Sequence, residues 1–342
     1  MARRGFITGG TWCVDYNMVV DQWPAEETAN PVRQVSRVGG GSGCNFAVDM
    51  RRLAPEIPVS TISLCGEDAD GVLLRQIAVE NGIEARFHVD PSIQTHRTLA
   101  FTAENNGKRT HLFEAASSDK LSPEHFDFSG STARLLHLGL PGTHALMDRP
   151  YGEDANGWVT VLKKAHAAGL QTNLEVMTIP KDRLRALVLP CLPHLDYLVV
   201  NDYEIGALAG VETLPSGKTS VPAVIEAARR VLRLGAMEMV VVHFPQGAIA
   251  LGRDGALASH PSVRVPPEEV AGSNGAGDAF AAGFFCGLHR GKAPEDCLAY
   301  AHASAATSLR SVDTYSAMEP IEACLARAES FGWRPALDLA AV

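Results

Sequence analysis

Short apolar segments alternate along the chain with longer segments in which apolar residues recur about every 3.6 positions. The short segments predict buried strands, and the longer ones predict helices that cover a sheet. This alternation is typical of an α/β fold with a mainly parallel sheet. The predicted strands are Gly5–Thr8, Val59–Leu64, Leu135–Leu138, Gln171–Leu174, Tyr197–Asn201 and Met239–Phe244. The predicted helices are Asn45–Leu53, Gly71–Asn81, Gly157–Ala168, Tyr203–Ala209 and Val221–Leu234.

One region departs from this alternation. Arg97–Glu104 and Lys108–Glu114 are β-prone stretches joined by Asn105-Asn106-Gly107. Asn-Gly between strands favours a type I′ hairpin turn, because both central residues of that turn have positive φ. We expect a small β lid beside the main domain, formed by approximately residues 12–38 and 95–115. A flap over an active site and a passive edge or dimer contact are equally open interpretations of it.

Length and composition favour one large domain. The 342 residues are 46% apolar and 20% charged, which is enough apolar material for a sizeable core. We therefore expect a single α/β domain over residues 1–342. With 39 acidic against 30 basic residues, the net charge is −9, which argues against a general nucleic-acid binder.

The cysteines and the apolar stretches bear on the compartment. The chain has seven scattered cysteines and no C-x-x-C pair, a usage typical of a reducing compartment and unfavourable for structural zinc. No stretch approaches the roughly 18 apolar residues that cross a bilayer. The first residues lack the apolar segment of a signal peptide. We expect a cytoplasmic protein without a membrane partner.

The segment Ala271–Phe285 carries the strongest chemical signal. Gly275-Ala276-Gly277 precedes Asp278, which opens an apolar helix. A helix N-terminus presents free backbone N–H groups, and small residues let a phosphate approach them. A carboxylate at the same point can take a proton from an attacking hydroxyl. Plain helix capping by Asp278 is the alternative interpretation.

A second glycine-rich segment, Val38–Ala47, also leads into a predicted helix. Its glycines would let a ligand lie against the main chain, and Asn45 could bind a sugar hydroxyl. The G-x-G-x-x-G spacing of a dinucleotide site is absent. Taken alone, a glycine-rich turn with an asparagine cap is nearly as good an interpretation.

A third segment, Pro215–Thr219, looks like the end of a phosphate-binding P-loop. That motif needs a glycine at position 212, where this chain has Glu212, and a strand just before it. We interpret Lys218 as a surface lysine.

With these motifs in order, the chain resembles the ribokinase-like carbohydrate kinases, also called the PfkB family, over most of its length. Gly40–Ala47 resembles the signature G-G-x-x-x-N-x-A, and Gly275–Phe280 resembles the more specific G-A-G-D-x-F. Gly66–Gly71 is similar to the family's G-x-D-x-x-G turn, and Asn201–Glu204 to its N-x-x-E element.

The resemblance implies a three-layer α/β/α fold with a β lid, and ATP-dependent phosphorylation of a hydroxyl on a small sugar or sugar derivative. Asp278 would be the general base, and the amides of Gly275, Ala276 and Gly277 the anion hole. Acceptor binding is implied for Asp15, Gly41, Ser42 and Asn45. Nucleotide binding is implied for Asn201, Glu204, His243, Gly247, Asn274 and His302. Mg²⁺ would be held by Glu204 and Asn201 through water, and a homodimer would form through the lid.

The residues alone leave several of these roles open. Asn201 and Glu204 also suit an ordinary strand end followed by a helix. His243 is as well explained as a buried, satisfied histidine. The small residues around His302 could admit an adenine or permit close helix packing. Asp15 alone is no more than a loop acid.

Three departures from the family pattern limit the resemblance. Gly272 stands where the second signature usually has an acid, which argues against activation by a monovalent cation such as potassium. The turn at Pro245 is shorter than the usual glycine-rich turn, so nucleotide contacts there would differ. Gly139 stands where some pentose-specific members carry a substrate-binding glutamate. Two alternatives therefore stay open, a nucleoside kinase of the same fold and a non-catalytic ligand-binding member.

Overall fold

The computed structural model describes residues 3–106 and 108–339. The strands are β1 (Phe6–Gly10), β2 (Cys13–Val20), β3 (Val32–Gly40), β4 (Val59–Gly66), β5 (Glu84–Asp90), β6 (Arg97–Ala103), β7 (Arg109–Glu114), β8 (Leu135–Gly139), β9 (Gln171–Leu174), β10 (Tyr197–Asn201), β11 (Met239–Phe244), β12 (Gly247–Gly252) and β13 (Leu257–Pro261). The α-helices are α1 (Ser42–Leu53), α2 (Ala69–Glu80), α3 (Ser117–Lys120), α4 (Gly157–Ala167), α5 (Lys181–Val188), α6 (Asp202–Ala209), α7 (Val221–Leu234), α8 (Ala276–His289), α9 (Pro294–Ser308) and α10 (Ile321–Phe331).

The larger sheet has the strand order β13-β12-β11-β10-β9-β8-β1-β4-β5. Neighbouring strands run parallel from β5 to β11, and β12 and β13 continue the sheet antiparallel. The carboxyl ends of the parallel strands therefore meet at one edge, which is where ligands bind in open α/β sheets.

Helices cover both faces of this sheet. On one face, α1, α2, α8, α9 and α10 bury side chains such as Phe46 and Phe285 against the strands. On the other face, α4, α5, α6 and α7 bury side chains such as Trp158 and Val231. The predicted three-layer α/β/α fold is confirmed.

The helix α8 explains why the layers pack closely. Residues 279–287 are all buried, and alanine and glycine alternate with Phe280, Phe284 and Phe285. A Cβ on Gly283 would lie 2.6 Å from the Tyr300 carbonyl oxygen, so α9 packs directly on the α8 backbone. An apolar helix of this kind is stable only between other layers, and this burial fixes the position of its N-terminus.

A separate small sheet has the order β3-β2-β6-β7. The antiparallel pairing of β6 with β7 matches the predicted hairpin, while Gly107 in its predicted turn lies outside the described residues. Tyr16 Oη donates to Asp70 Oδ1 over 2.8 Å, and Arg37 pairs with the same carboxylate, which ties the small sheet to α2. The second sheet expected from the fold class is present, while the single-domain assignment and the function of this sheet as a lid stay predictions.

Three strands escaped the sequence analysis. The edge strand β5 alternates apolar Ala85, Phe87 and Val89 with polar residues, but it is mostly exposed at the sheet edge, and the sequence analysis did not predict it. β12 is buried on both faces and contains small residues, so it has no alternation. β13 pairs antiparallel with β12, and a sheet that is otherwise parallel gives no reason to expect it.

All seven cysteines are free and buried, which agrees with their expected use as small core residues. Across residues 3–106 and 108–339, no helix has the length and apolarity needed to cross a membrane. Lys218 is exposed and follows a short turn rather than a strand, which agrees with the rejection of a P-loop there.

Candidate active site

The loop before α8 forms the centre of the candidate site. Gly275, the N-cap residue, has φ 75°, and a Cβ there would lie 2.6 Å from Thr314 Cβ, so the position requires glycine. The first amides of α8 have no acceptor within the helix. A Cβ on Gly277 would meet nothing within 4 Å, so open space adjoins this turn. Residues 275–278 are half-buried rather than sealed in the core.

Asp278 is held by residues that are distant in sequence. Its Oδ2 accepts a hydrogen bond from Asn45 Nδ2 over 2.9 Å. The other end of that carboxamide, Asn45 Oδ1, accepts a hydrogen bond from Thr314 Oγ1 over 2.7 Å. The Asp278 carboxylate therefore contacts the first turn of α1, and capping of its own helix does not account for this contact. The role of Asn45 in acceptor binding stays a prediction, and its observed contacts orient Asp278.

The environment of Asp278 changes its acidity. Burial and, to a lesser extent, the nearby Asp15 carboxylate raise the pKa of Asp278 to about 6, against the opposing effect of the Asn45 hydrogen bond. A carboxyl with this pKa is ionised near neutral pH and is more basic than an exposed aspartate. Its chemistry suits a group that accepts a proton.

The first glycine-rich loop brings the predicted acceptor residues toward Asp278. Asp15 on β2 is buried, and its carboxylate packs against the main chain of Gly40. Gly41 is the N-cap of α1, with φ 86°, and Ser42 opens that helix beside it. The loop is anchored to β1, because the Gly43 amide donates to the Thr11 carbonyl over 3.0 Å. The structure thus places Asp15, Ser42 and Asn45 on one side of Asp278.

A cavity of about 590 Å³ lies on the other side. Its walls are mainly apolar, with contributions from Val263, Val265, Phe280 and Leu309, and Ala276 and Gly277 of the α8 turn line it as well. A mostly apolar cavity next to free helix amides can take a flat ring system joined to an anionic group.

Two of the predicted nucleotide-binding histidines line this cavity. Burial lowers the pKa of His243 to about 4 and that of His302 to about 3, so both imidazoles are neutral. The Phe280 ring lies between them, with centroids 4.8 Å from His243 and 5.1 Å from His302. His302 Nε2 is buried and has no hydrogen-bond partner among the described residues. That nitrogen can still bind a ligand.

The other residues predicted to bind nucleotide or metal do not all line the cavity. Asn201 lines the cavity, whereas the residues that line it do not include Glu204, Gly247 or Asn274. Gly247 is buried at the start of β12, where a Cβ would lie 2.5 Å from the His260 carbonyl oxygen. This close approach gives Gly247 a packing role, and its nucleotide-binding role stays a prediction.

Asn201 and Glu204 form a capping box at the start of α6. Asn201 Oδ1 accepts from the Glu204 amide, and Glu204 Oε2 accepts from the Asn201 amide, over 2.9 and 3.0 Å. Thr178 Oγ1 donates to Glu204 Oε1 over 3.0 Å. Burial raises the pKa of Glu204 to about 7, against these hydrogen bonds.

This donor set fits an indirect contact with Mg²⁺. Carboxylate and amide oxygens suit the ion, but the oxygens of Asn201 and Glu204 already accept hydrogen bonds from the protein. Within the described ranges, no group of three or more His, Cys, Asp or Glu side chains is arranged to hold a metal ion. Mg²⁺ usually retains several waters, and these residues would hold it through that water.

Some residues of the site carried no signal in the sequence. Thr314 and Thr178 contact the predicted residues from loops without a motif. Arg334 and Ser262 line the cavity from segments that come together only in the fold, through a hydrogen bond of 2.9 Å from the Arg334 amide to the Ser262 carbonyl. Glu175 follows β9 beside the site, and only its place after a predicted strand could have marked it.

The fold and this arrangement are those of a ribokinase-like phosphotransferase. Residues 8–321 match the family described as pfkB family carbohydrate kinase, and the chain belongs to that family. The predicted family membership and kinase class are therefore confirmed.

Individual relatives agree with this assignment. The chain is similar to an adenosine kinase of Schizosaccharomyces pombe, with 27% identity over 287 residues, 78% of each chain. It is similar to a ribokinase of Arabidopsis thaliana, with 23% identity over 305 residues, 87% of this chain and 74% of that one. Its fold matches the structure of Arabidopsis thaliana ribokinase complexed with ribose and ATP, with a TM-score of 0.77 and 20% identity over 96% of this chain and 99% of that one.

Proposed function

We propose that this protein transfers a phosphoryl group from ATP to a hydroxyl of a small sugar or sugar derivative, with Asp278 as the general base. The observation that carries the proposal is the position of Asp278. It lies at a helix N-terminus with adjoining open space, between a cavity of about 590 Å³ and a glycine-rich loop with buried polar groups. A base, an anion-binding turn and two ligand-binding regions are the parts that phosphoryl transfer needs.

The chemistry follows from these positions. The Asp278 carboxylate accepts the proton of the acceptor hydroxyl as that oxygen attacks the terminal phosphorus of ATP. The bond from this phosphorus to the bridging oxygen breaks, and ADP leaves. The amides at residues 275–277 donate hydrogen bonds to the phosphoryl oxygens, where negative charge is concentrated. Asn45 keeps the carboxylate directed at the hydroxyl. Asn201 and Glu204 would hold Mg²⁺ through its bound water, and the ion would neutralise phosphate charge there.

The cavity supports ATP as the phosphoryl donor. Its apolar walls suit an adenine ring, and the neutral imidazoles of His243 and His302 can accept or donate hydrogen bonds at the ring edge. The Arabidopsis ribokinase whose fold matches is complexed with ribose and ATP, which supports the same division of the site into acceptor and nucleotide sides.

A nucleoside acceptor is the second candidate. The Schizosaccharomyces pombe adenosine kinase is 27% identical to this chain, and the Arabidopsis ribokinase is 23% identical. A nucleoside carries the hydroxyls of a pentose, so the proposed chemistry is the same for both acceptors. A non-catalytic binding protein is less well supported, because such a protein needs no base at Asp278.

The test of function is a panel of acceptors assayed by coupled release of ADP, with ATP and Mg²⁺ present. The panel contains ribose, fructose, glucose, adenosine, cytidine and their monophosphates. We expect ADP release that depends on one acceptor class, with a mass increase of one phosphoryl group in that acceptor. Binding of acceptors in a thermal-shift assay with no ADP release from any of them would favour the non-catalytic alternative and contradict the proposal.

We also propose that the small sheet forms a homodimer contact. The strand register places Val35 and Leu112 on one face, and both are exposed, as is Trp23, which packs on Phe101 of that face. Light scattering of the wild-type protein and of Val35→Glu tests this, with a dimer expected for the first and a monomer for the second. A wild-type monomer at assay concentrations would contradict the contact. Location in the cytoplasm stays a prediction.

A further inference from the structure

Glu175 is a buried carboxylate outside the family motifs. It directly follows β9, and its amide donates to the Leu138 carbonyl over 2.7 Å, so it continues the pairing of β9 with β8. Its Oε2 is buried and has no hydrogen-bond partner among the described residues. A polar oxygen without a partner is costly in a protein interior, so it needs an explanation, and a bound ligand is one.

Two buried polar side chains, Asn173 and His137, lie next to Glu175. Asn173 Nδ2 donates to His137 Nδ1 over 3.1 Å, which places the imidazole proton on Nε2. That nitrogen lies 3.6 Å from Glu175 Oε2, just beyond a normal hydrogen bond. The His137 ring stacks on Phe46 at 4.0 Å, and burial lowers the pKa of His137 to about 3, so the imidazole is neutral. His137 Nε2 is itself buried without a hydrogen-bond partner among the described residues, so the imidazole does not supply the partner that Glu175 lacks.

Strand alternation places Glu175 on the side of Asp278. Its second neighbour Asn173 contacts His137, which packs on α1 and α8. Residues two apart on an extended chain share a face, so Glu175 is directed toward the layer that carries Asn45 and Asp278. Burial raises the pKa of Glu175 well above its usual range, and the carboxylates of Asp278 and Glu204 raise it further. Among the described residues, no cation contributes to that shift.

Gly139 lets a second polar group reach the same place. A Cβ at this position would lie 2.7 Å from Ser42 Oγ and 2.9 Å from Glu175 Cβ. Ser42 Oγ is also buried without a partner among the described residues. A hydroxyl and a carboxylate from different segments thus adjoin one glycine, and both lack partners. Two such groups side by side are better explained by a missing polar ligand than by separate packing defects.

We propose that Glu175 is an acceptor-binding residue of this kinase, which accepts a hydrogen bond from an acceptor hydroxyl close to the one phosphorylated, with Ser42 beside it. The proposal rests on the phosphoryl transfer proposed above and narrows its acceptor class. With the Asp278 and Asp15 carboxylates near the acceptor, a phosphate or carboxylate close to the reacting hydroxyl is repelled. The acceptor is therefore an uncharged polyhydroxylic molecule, a free sugar or a nucleoside.

The first experiment measures Glu175→Gln with ribose, fructose and adenosine as acceptors. Loss of the hydrogen bond between the acceptor hydroxyl and the Glu175 carboxyl predicts that the KM for the acceptor used by the wild type rises about tenfold. The KM for ATP and the Mg²⁺ concentration for half-activation should stay within about twofold of wild type. The melting temperature should stay the same or rise, because the variant removes a buried charge. Glu175→Asp gives a second variant if the glutamine protein does not fold.

The matched control is Asp49→Asn. Asp49 is also buried, both of its carboxylate oxygens lack partners among the described residues, and it lies one turn after Asn45 on α1. We expect it to change the melting temperature without changing the acceptor KM. A general effect of buried charge would instead move the acceptor KM in both variants, which would overturn the proposal.

The second experiment compares charged and uncharged acceptors on the wild type. Each uncharged acceptor is compared with two monophosphates that differ in position, namely ribose 1- and 5-phosphate, fructose 1- and 6-phosphate, and 3′- and 5′-AMP, so that one charged derivative of each keeps the reacting hydroxyl. We expect the uncharged member of the active set to have the higher kcat/KM by at least about tenfold. Preference for a phosphorylated acceptor, or a Glu175→Gln enzyme that changes only its Mg²⁺ requirement, would overturn the assignment. If Asp278→Asn is inactive while Glu175→Gln is normal, only this inference fails and the proposed function stands.

Discussion

The two sides of Asp278 are built from different kinds of residue. On the cavity side, apolar walls such as Val263 and Leu309 surround the space, and the polar groups are neutral imidazoles. On the other side, Asp15, Ser42 and Glu175 bring carboxylates and a hydroxyl into buried positions. Apolar sites discriminate by shape and only weakly, whereas buried polar groups reject any ligand that leaves them unpaired. The acceptor side should therefore be the more selective half of the site.

The largest effect on kcat is expected for Gly275→Ala, because Gly275 lies in the turn between the two sides of the site. The residue has φ 75° and no room for a Cβ beside Thr314, so alanine must move the turn that carries the anion-binding amides. We expect kcat to fall at least about a hundredfold, as for loss of other oxyanion donors. Steady-state kinetics at saturating acceptor and ATP measure this change.

Gly255→Ala is the matched control for that variant. Gly255 has φ 88°, but a Cβ there would meet nothing within 4 Å, and it lies in the turn between β12 and β13. The strain of a left-handed alanine costs about 1 kcal/mol at either position. We expect Gly255→Ala to lower the melting temperature and to keep kcat. An equal loss of kcat in both variants would show that backbone strain, and not the anion hole, limits the rate.

The next effect concerns the acidity of Asp278. A base must be ionised, so activity should fall as the pH falls through about 6, the raised pKa of Asp278. In Asn45→Asp, the hydrogen bond that favours the ionised form is lost and a like charge is added, and both changes raise that pKa further. The acid limb of kcat/KM against pH should move up by about one unit, and activity at pH 6.5 should fall about threefold.

The control for this shift is Asn45→Ala. This variant removes the hydrogen bond without adding a charge, so its acid limb should move up by less than that of Asn45→Asp. If the acid limb of kcat/KM stays at the wild-type pH in both variants, the limb reflects the titration of another group, such as Glu204, and not of Asp278.

A smaller effect is expected on the cavity side, at His302. In His302→Phe, the ring that packs on Phe280 is kept and Nε2 is removed. Loss of one neutral hydrogen bond predicts about a fivefold rise in the KM for ATP, with the acceptor KM unchanged. If His302→Phe behaves as wild type while His302→Ala does not, the imidazole acts only by packing.

The fold could be predicted from the sequence to the extent that its pattern is local. Tyr197–Asn201 and Met239–Phe244 are buried parallel strands whose apolar runs are visible without the structure, and both have the predicted bounds. β12 is buried on both faces and lacks the alternation that marks a half-buried strand. β5 alternates Ala85, Phe87 and Val89 with polar residues, and it was missed although its pattern is local.

In the candidate site, too, only the residues with a local sequence signature could be predicted. Asp278 and the loop at residues 38–47 were visible because glycines next to helices leave a local signature. The contact from Asn45 to Asp278 spans 233 positions in the sequence, and that from Asn45 to Thr314 spans 269, so no local pattern could reveal them. Glu175 was missed for a similar reason. Its neighbours His137 and Ser42 lie on β8 and α1, far from it in the sequence, and only the fold brings them close.

The claim on which this account depends most is that Asp278 takes the proton from the acceptor hydroxyl. The direct measurement is kcat of Asp278→Asn with the acceptor found in the panel, together with the Kd of ATP from equilibrium titration. We expect kcat to fall at least about a hundredfold while the Kd of ATP stays within about twofold of wild type. An Asp278→Asn enzyme that turns over at a rate near wild type would contradict the account.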